Sequence, residues 1–355
     1  MGLVRGSGYL RQPCIRVLAN GIELHGISDA RIVTTSCASA NWFSLAVALG
    51  NDATSSAAFW SSETDITTEI QISIDGGQSF TRIIEGKVDT VALTPLQGIV
   101  QIEGRDFTTL LLSANNQETF VNQTSSEIAS LVALRHGLTP VVTNTTRLVG
   151  GFDTSGHNYV TLNQFSKILT DWDLLSTLAR IEDFDLYISG TTLYFQSPQA
   201  TARKNIWLQP NDISDLRMDR MLLLGSSFQV SVKSWNSWLH QAVTSSVSTS
   251  QPGAVPVNNN GHSSADPQFI LTAPNLTPDM ADTIAQQQLD LIGRHERTIE
   301  FETPGDPSLT TRDMIVLSGT GTQFNQSYQI ESIEHSIGHS KGYSQRIRAK
   351  NSSNN

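Results

Sequence analysis

Two stretches of the sequence constrain the fold most, because each joins a capped helix to runs with strand-like alternation. Residues 99–138 predict a strand, a corner at residues 104–106, a second apolar run and a short helix. Residues 170–195 predict another capped helix that leads directly into a hairpin. Neither stretch carries a catalytic constellation. Both therefore indicate architecture rather than an enzyme.

Both helices begin with capping signals. Thr124 and Glu127 have the spacing of a capping box, and Gly137 fits the left-handed position that ends a helix. In the second helix Thr170 is the predicted cap and Asp173 the third residue. One face of the first helix is predicted to carry Ile128, Leu131, Val132 and Arg135. The predicted buried stripe of the second helix is Leu174, Leu175, Leu178 and Ile181.

Residues 13–112 have the pattern of an all-β region. Asn20-Gly21 is a strong hairpin signal, and the run Ile66–Ile74 alternates in polarity before a turn at residues 75–77. Short strands separated by turn residues indicate a small barrel or sandwich. From about residue 206 the chain returns to strand-like alternation.

The sequence therefore predicts a mainly β protein with an α+β insertion. Two small β-barrel domains, residues 1–112 and 206–355, flank an α+β module at 113–205 that consists of two helices and a hairpin. Residues 244–267 are poor in large apolar side chains and predict a long mobile loop. A helix is expected at 278–294, with Thr277 as its cap.

Composition excludes some classes of function. The 355-residue chain has a formal net charge of −10, and 16% of its residues are charged. A protein that binds nucleic acid without sequence preference needs clustered cations. The sequence has no such cluster, and the group most like one is Arg346, Arg348 and Lys350 on one face of a strand. An ordinary solvated or intersubunit face is the alternative for that stripe. No run of eighteen apolar residues occurs, so no membrane insertion is expected.

Candidate chemistry is sparse, and the sequence predicts no catalytic, cofactor-binding or metal site. Cys14 and Cys37 are expected as reduced thiols. His335 and His339 have a spacing that could hold zinc on a helix, but the flanking residues alternate as a strand, which favours exposed or rim histidines.

Acidic and aromatic residues offer two further candidates for chemistry. Glu103, Asp106 and Glu118 could supply a carboxylate pair for glycoside hydrolysis, whereas Asp106 has the character of a residue that braces a turn. Trp172 and Trp207 could stack on sugars, but packing between domains is the stronger interpretation.

Several motifs resemble the late control protein D family of phages over roughly residues 95–350. They are Gly104-Arg105-Asp106, the run 120–129, Trp172-Asp173-Leu174-Leu175, the run 184–195, Ile333-Glu334-His335 and the run 342–351. The resemblance implies a hub of the phage tail baseplate, related to the base of type VI secretion spikes, without a cofactor. It implies a homotrimer whose two barrels per chain adapt a six-fold tail tube to a three-fold spike.

The resemblance also implies partners and a location. The partners would be the tail tube, spike, baseplate wedge and tape-measure proteins, with DNA passing through the channel without specific binding. The location would be the virion tail baseplate, assembled in the host cytoplasm, and the spike would be another chain. Two alternatives stay open: a tail-associated peptidoglycan hydrolase and an adaptor of a secretion-system spike.

Overall fold

A computed structural model describes residues 11–352 apart from 37, 51–54, 116, 117, 119, 121, 147, 150, 154–157, 161–169, 199–202, 225–227, 237–239, 249–267, 273–275 and 339–341. It divides into two compact units. The first unit comprises residues 1–205, 302–313 and 330–347, and the second comprises 206–301, 314–329 and 348–355. The predicted division into 1–112, 113–205 and 206–355 has different boundaries and stays a prediction.

The elements are as follows in chain order. Up to residue 106 they are β1 Cys14–Ala19, β2 Ile22–Glu23, β3 Ile27–Thr35, β4 Trp42–Ala48, α1 Ala57–Ser62, β5 Thr67–Ser73, β6 Thr81–Thr94 and β7 Ile99–Asp106. Up to residue 196 they are α2 Thr108–Ser113, β8 Gln123–Thr124, α3 Ser125–Arg135, β9 Thr139–Val142, β10 Leu148–Val149, β11 Gly151–Asp153, β12 Asn158–Val160, α4 Asp171–Glu182, β13 Asp185–Ser189 and β14 Thr192–Gln196. The remainder are β15 Asn205–Leu208, β16 Ser214–Arg220, β17 Gln229–Asn236, β18 Gln241–Ser248, β19 Gln268–Thr272, α5 Pro278–Gly293, β20 Arg297–Pro304, β21 Met314–Leu317, β22 Ser327–Gly338 and β23 Gly342–Asn351.

The main sheet of the first unit has the strand order β22–β3–β4–β7–β6–β5–β1–β2. Alternate side chains of these strands form one apolar core that includes Ile32, Phe43, Leu45 and Ile102. The hairpin signal at Asn20-Gly21 is confirmed, since both residues have positive φ angles and Ala19 pairs with Ile22.

The mainly β class predicted from the sequence is confirmed, but the prediction of closed barrels is wrong. The main sheet is open, because its strand order ends at β2 and no pairing among the described strands joins β1 or β2 to a strand beyond β5. Residues 104–106 were predicted to form a corner and instead lie within β7. The apolar run after them is the short helix α2 rather than a strand.

Residues 107–195 build a separate hydrophobic core within the first unit. Both capping boxes are confirmed, at Thr124 with Glu127 and at Thr170 with Asp173. The hairpin β13–β14 is also confirmed, and β9 adds to it in parallel. The stripe predicted for α3 is shifted, because Ala129 and Ala133 are buried while Leu131 is 38% exposed.

The second unit contains a sheet in the order β18–β17–β19, which packs one face against α5. Helix α5 begins after Thr277, which caps it as predicted. The sequence predicts a face made of Ala281, Ile284, Ala285 and Leu291, which is partly wrong, since Leu289 is buried and Leu291 is exposed. Residues 244–248 of the predicted loop belong to β18, and the rest of that loop, 249–267, lies outside the described residues.

Candidate assembly surfaces

The acidic residues considered for hydrolysis do not share a site. Glu103 and Asp106 lie on β7 but point to opposite faces, since Glu103 is exposed and Asp106 is 3% exposed. Glu118 forms an ion pair with Arg135 at 2.8 Å. The three carboxylates therefore have separate structural surroundings.

Asp106 braces the end of β7, close to the role predicted for it. Its carboxylate accepts hydrogen bonds from the backbone N–H groups of Asn41 at 3.2 Å and Thr108 at 3.1 Å. Burial raises the pKa of Asp106 to about 6, against the effect of these hydrogen bonds. This carboxylate holds the strand-to-helix turn rather than facing a ligand.

His335 is buried, so the prediction of an exposed histidine is wrong for this residue. Its side chain is 1% exposed to solvent. Its Nδ1 lies 2.8 Å from the Tyr343 hydroxyl and 3.1 Å from the Gln345 amide nitrogen. Because Gln345 Nε2 can only donate, Nδ1 accepts and the ring proton is on Nε2. His339 lies outside the described residues, among which no group of three or more metal-ligating side chains occurs.

The two tryptophans differ in their surroundings. Trp172 is buried, as the packing interpretation requires, but it lies inside the core of the 107–195 region rather than between domains. Trp207 is 58% exposed on β15, so that interpretation fails for it. Cys14 is a free thiol as predicted, and Cys37 lies outside the described residues.

The predicted alternation at the C-terminal stripe is confirmed, because Arg346 and Arg348 are exposed while Ile347 and Ala349 are buried. Arg346 lies 3.9 Å from Glu302, both in the first unit. The stripe is thus not an isolated group of cations.

One surface of the first unit is the side of the main sheet that points away from its core. We call this surface the outer sheet face. It includes alternate residues of β22, β3, β4, β7 and β6: Glu334, Ser336, Asp29, Arg31, Val33, Trp42, Ser44, Ala46, Gln101, Glu103, Arg105, Lys87, Thr90 and Ala92. One row crosses all five strands through Ser336, Arg31, Ser44, Glu103 and Thr90.

A second exposed face belongs to the β18–β17–β19 sheet of the second unit. Opposite its contact with α5 the sheet presents Trp235 at 57% exposure and Ile270 at 55% exposure. Their neighbours on this face are mostly uncharged, and Lys233 is the one charged side chain among the described strand residues there. In the described residues no helix is long and apolar enough to span a membrane.

Comparison with solved structures identifies the fold. The tail protein from Neisseria meningitidis MC58 superposes with a TM-score of 0.70 at 11% identity, over 96% of each chain. The 43 kDa tail protein of prophage MuSo2 from Shewanella oneidensis superposes with a TM-score of 0.67 at 18% identity, over 95% of this chain and 96% of that one.

The fold is therefore that of phage tail proteins. The c3393 protein of E. coli, described as a component of the type VI secretion system, shares it with a TM-score of 0.56 at 10% identity, over 95% of this chain and 77% of that one. These similarities confirm, at the level of fold, the resemblance seen in the sequence. No protein-family model and no curated protein sequence matches the chain.

Proposed function

We propose that this protein is a structural component of a phage or phage-like tail, and specifically the central hub of the baseplate. Three copies would form a ring that adapts a six-fold tail tube to a three-fold spike and surrounds the path of the DNA. The proposal includes no catalysis. The protein would reside in the virion tail baseplate after assembly in the host cytoplasm.

The observation that carries this proposal is the extent of the fold similarity. The match to the Neisseria tail protein covers 96% of both chains, so it involves the whole architecture rather than one shared module. The placement of Glu103, Asp106 and Glu118 gives no support to a peptidoglycan hydrolase. We therefore favour the structural role over the enzymatic one.

The proposed contacts are with the tail tube, spike, baseplate wedge and tape-measure proteins. Low charge density supports this, because 16% charged residues leave much uncharged polar surface that can be buried in an assembly. The exposed Trp235 and Ile270 face has the uncharged composition of such a surface.

The test is the location and copy number of the protein in purified particles. We expect cryo-electron microscopy along the tail axis to show three copies at the junction of tube and spike. We expect the isolated chain to be a trimer, or a monomer that forms a trimer in the baseplate. Light scattering of assembled material should therefore give the mass of a trimer. Six copies, or absence from the particles, would contradict the proposal.

The similarity to c3393 favours one second candidate, an adaptor of a secretion-system spike. The two roles differ in what surrounds the protein. A hub copurifies with tail tube and tape-measure proteins, whereas an adaptor copurifies with secreted effectors. Clearing of cell-wall material in a zymogram would instead support the peptidoglycan hydrolase.

A further inference from the structure

The eight strands from β22 to β2 carry five arginine and lysine side chains, and each has a carboxylate partner. The pairs are Arg16 with Glu23 at 3.8 Å, Arg31 with Glu334 at 2.7 Å, Arg82 with Glu85 at 2.7 Å, Lys87 with Asp65 at 2.5 Å, and Arg105 with Asp89 at 2.6 Å. Arg31 and Arg105 lie on the outer sheet face, and so does Lys87, which pairs directly with Arg105 across β6 and β7. The pairing of these cations with carboxylates determines how the face presents charge.

Both arginines of the outer sheet face are held by two hydrogen bonds each. Arg31 donates from Nε and Nη2 to the two carboxylate oxygens of Glu334, at 2.7 and 2.9 Å. Arg105 donates in the same way to Asp89, at 2.6 and 3.1 Å. This fork geometry is the one by which a guanidinium group binds a phosphate, so each carboxylate occupies the donors that a phosphate would use.

A local irregularity of the sheet places Asp89 in this position. The register of β6 against β7 shifts between Val88 and Thr90, which leaves Asp89 as an extra residue in β6. Such a bulge redirects a side chain that regular pairing would aim elsewhere. Asp89 is thereby brought within hydrogen-bonding distance of Arg105 across the two strands.

The rest of the outer sheet face is unsuited to two common kinds of partner. Glu103 and Asp29 add negative charge without adding cations, so the face repels polyanions. None of the five strands exposes a large apolar side chain among its described residues, and Trp42 is half-buried beneath Arg31. The face lacks the apolar centre of a stable protein interface.

We propose that Glu334 and Asp89 mask Arg31 and Arg105, and that the outer sheet face is thereby a non-adhesive surface past which duplex DNA slides. The passage of DNA rests on the proposed function as a tail hub. The masking itself is a property of the purified chain. Removing both carboxylates while keeping both arginines should convert the face into one that binds DNA.

The first test measures binding of a short DNA duplex to the purified full-length chain by fluorescence anisotropy at low salt. The variant with Asp89→Asn and Glu334→Gln should bind about tenfold more tightly than the unaltered chain, with a dependence on salt that indicates about two new phosphate contacts. Adding Arg31→Gln and Arg105→Gln should abolish that gain. Thermal unfolding of each variant verifies that it is folded.

The matched control carries Glu118→Gln and Asp219→Asn. It changes the net charge by the same amount and removes the carboxylates that lie 2.8 Å from Arg135 and from Arg217, which are on other elements. Equal DNA binding by this control would show that net charge alone matters, and would overturn the masking of the outer sheet face. Unchanged binding by the first variant would overturn it as well.

The second test measures DNA release from particles assembled with each variant. Slower release with the unmasked variant, and normal release with the control, is the expected result. Normal release from fully assembled unmasked particles would show that the face does not meet DNA, while leaving the hub role intact. Particles that contain no copy of the protein would overturn the hub role itself, and with it the passage of DNA.

Discussion

The Nδ1 atom of His335 lies 2.8 Å from the hydroxyl oxygen of Tyr343, and their rings are parallel within 10°. Gln345 joins this pair by donating to His335 at 3.1 Å and to the backbone carbonyl of Asp306 at 2.8 Å. The network ties β22, β23 and the segment after β20 together inside the first unit. Its hydrogen bonds require a neutral imidazole.

The His335 network predicts a loss of stability in acid. Burial lowers the pKa of His335 to about 4 from its ordinary 6.5, so the unfolded chain binds the extra proton first as pH falls. The contribution of His335 to the free energy of unfolding should therefore fall by up to about 3 kcal/mol as the pH is lowered from 6.5 to 4, and should level off below pH 4. His335→Gln should remove this decline in denaturant titrations across that range. His25→Gln, at an exposed position, should keep it, and an unchanged pH profile for His335→Gln would contradict the prediction.

Asp106 predicts the opposite dependence. Its pKa is raised to about 6 in the folded chain from an ordinary 3.8, so the folded state binds the proton first and gains stability as pH falls between these values. The gain should reach about 3 kcal/mol and offset much of the loss due to His335. Asp106→Asn should therefore make unfolding more acid-sensitive, as measured by the denaturation midpoint at pH 7 and pH 4.5. Glu103→Gln, on the same strand but exposed, is the control, and equal acid sensitivity in the two variants would count against this account.

Leu175→Ala should destabilise the first unit by about 2–5 kcal/mol, because Leu175 is fully buried in the core of the 107–195 region. Leu134→Ala is the matched control, since Leu134 is 66% exposed on α3 and should cost less than about 0.5 kcal/mol. Chemical denaturation measures both. Similar effects at the two positions would mean that the apolar face of α4 is not the one that supports the core.

Gly104→Ala should destabilise the main sheet although glycine has no unusual backbone angle there. An added Cβ would lie 2.3 Å from the backbone oxygen of Lys87 and 2.4 Å from the ring of Phe43. The backbone of β6 cannot retreat without losing its pairing, so a cost of about 1–3 kcal/mol is expected. Ser44→Ala on the neighbouring strand should be nearly neutral by the same thermal unfolding measurement. A neutral Gly104→Ala would show that β6 and β7 separate easily at this point.

Local signals in the sequence were sufficient for the helix caps and hairpins. Thr124, Thr170 and Thr277 each cap a helix, because a capping interaction spans only three residues and does not depend on the rest of the fold. Gly104 gave a misleading signal. A glycine in a strand often marks a turn, whereas here it permits the close approach of Phe43 and β6.

Long-range pairing left little trace in the sequence. Ser332 to Gly338 pair with Asp29 to Thr35, about three hundred residues earlier, and neither segment specifies the other. The burial of His335 follows from that pairing, which places it opposite Ile32, so local alternation alone could not distinguish it from an exposed residue. The same holds for the ion pair of Arg31 with Glu334. The helix α1 was also missed, since six residues are too few for a visible period.

The position of β22 beside β3 has a consequence for synthesis on the ribosome. Strand β3 emerges early, but the segment that satisfies one of its edges is translated about 300 residues later. At roughly 5–20 residues per second the open edge persists for about 15–60 s, during which its N–H and C=O groups can pair with another nascent chain. Polysomes crowded with this message would bring such edges together, and ribosome stalling before residue 330 should yield aggregates rather than soluble fragments. A trigger-factor-like chaperone that shields nascent strands would matter most within that interval.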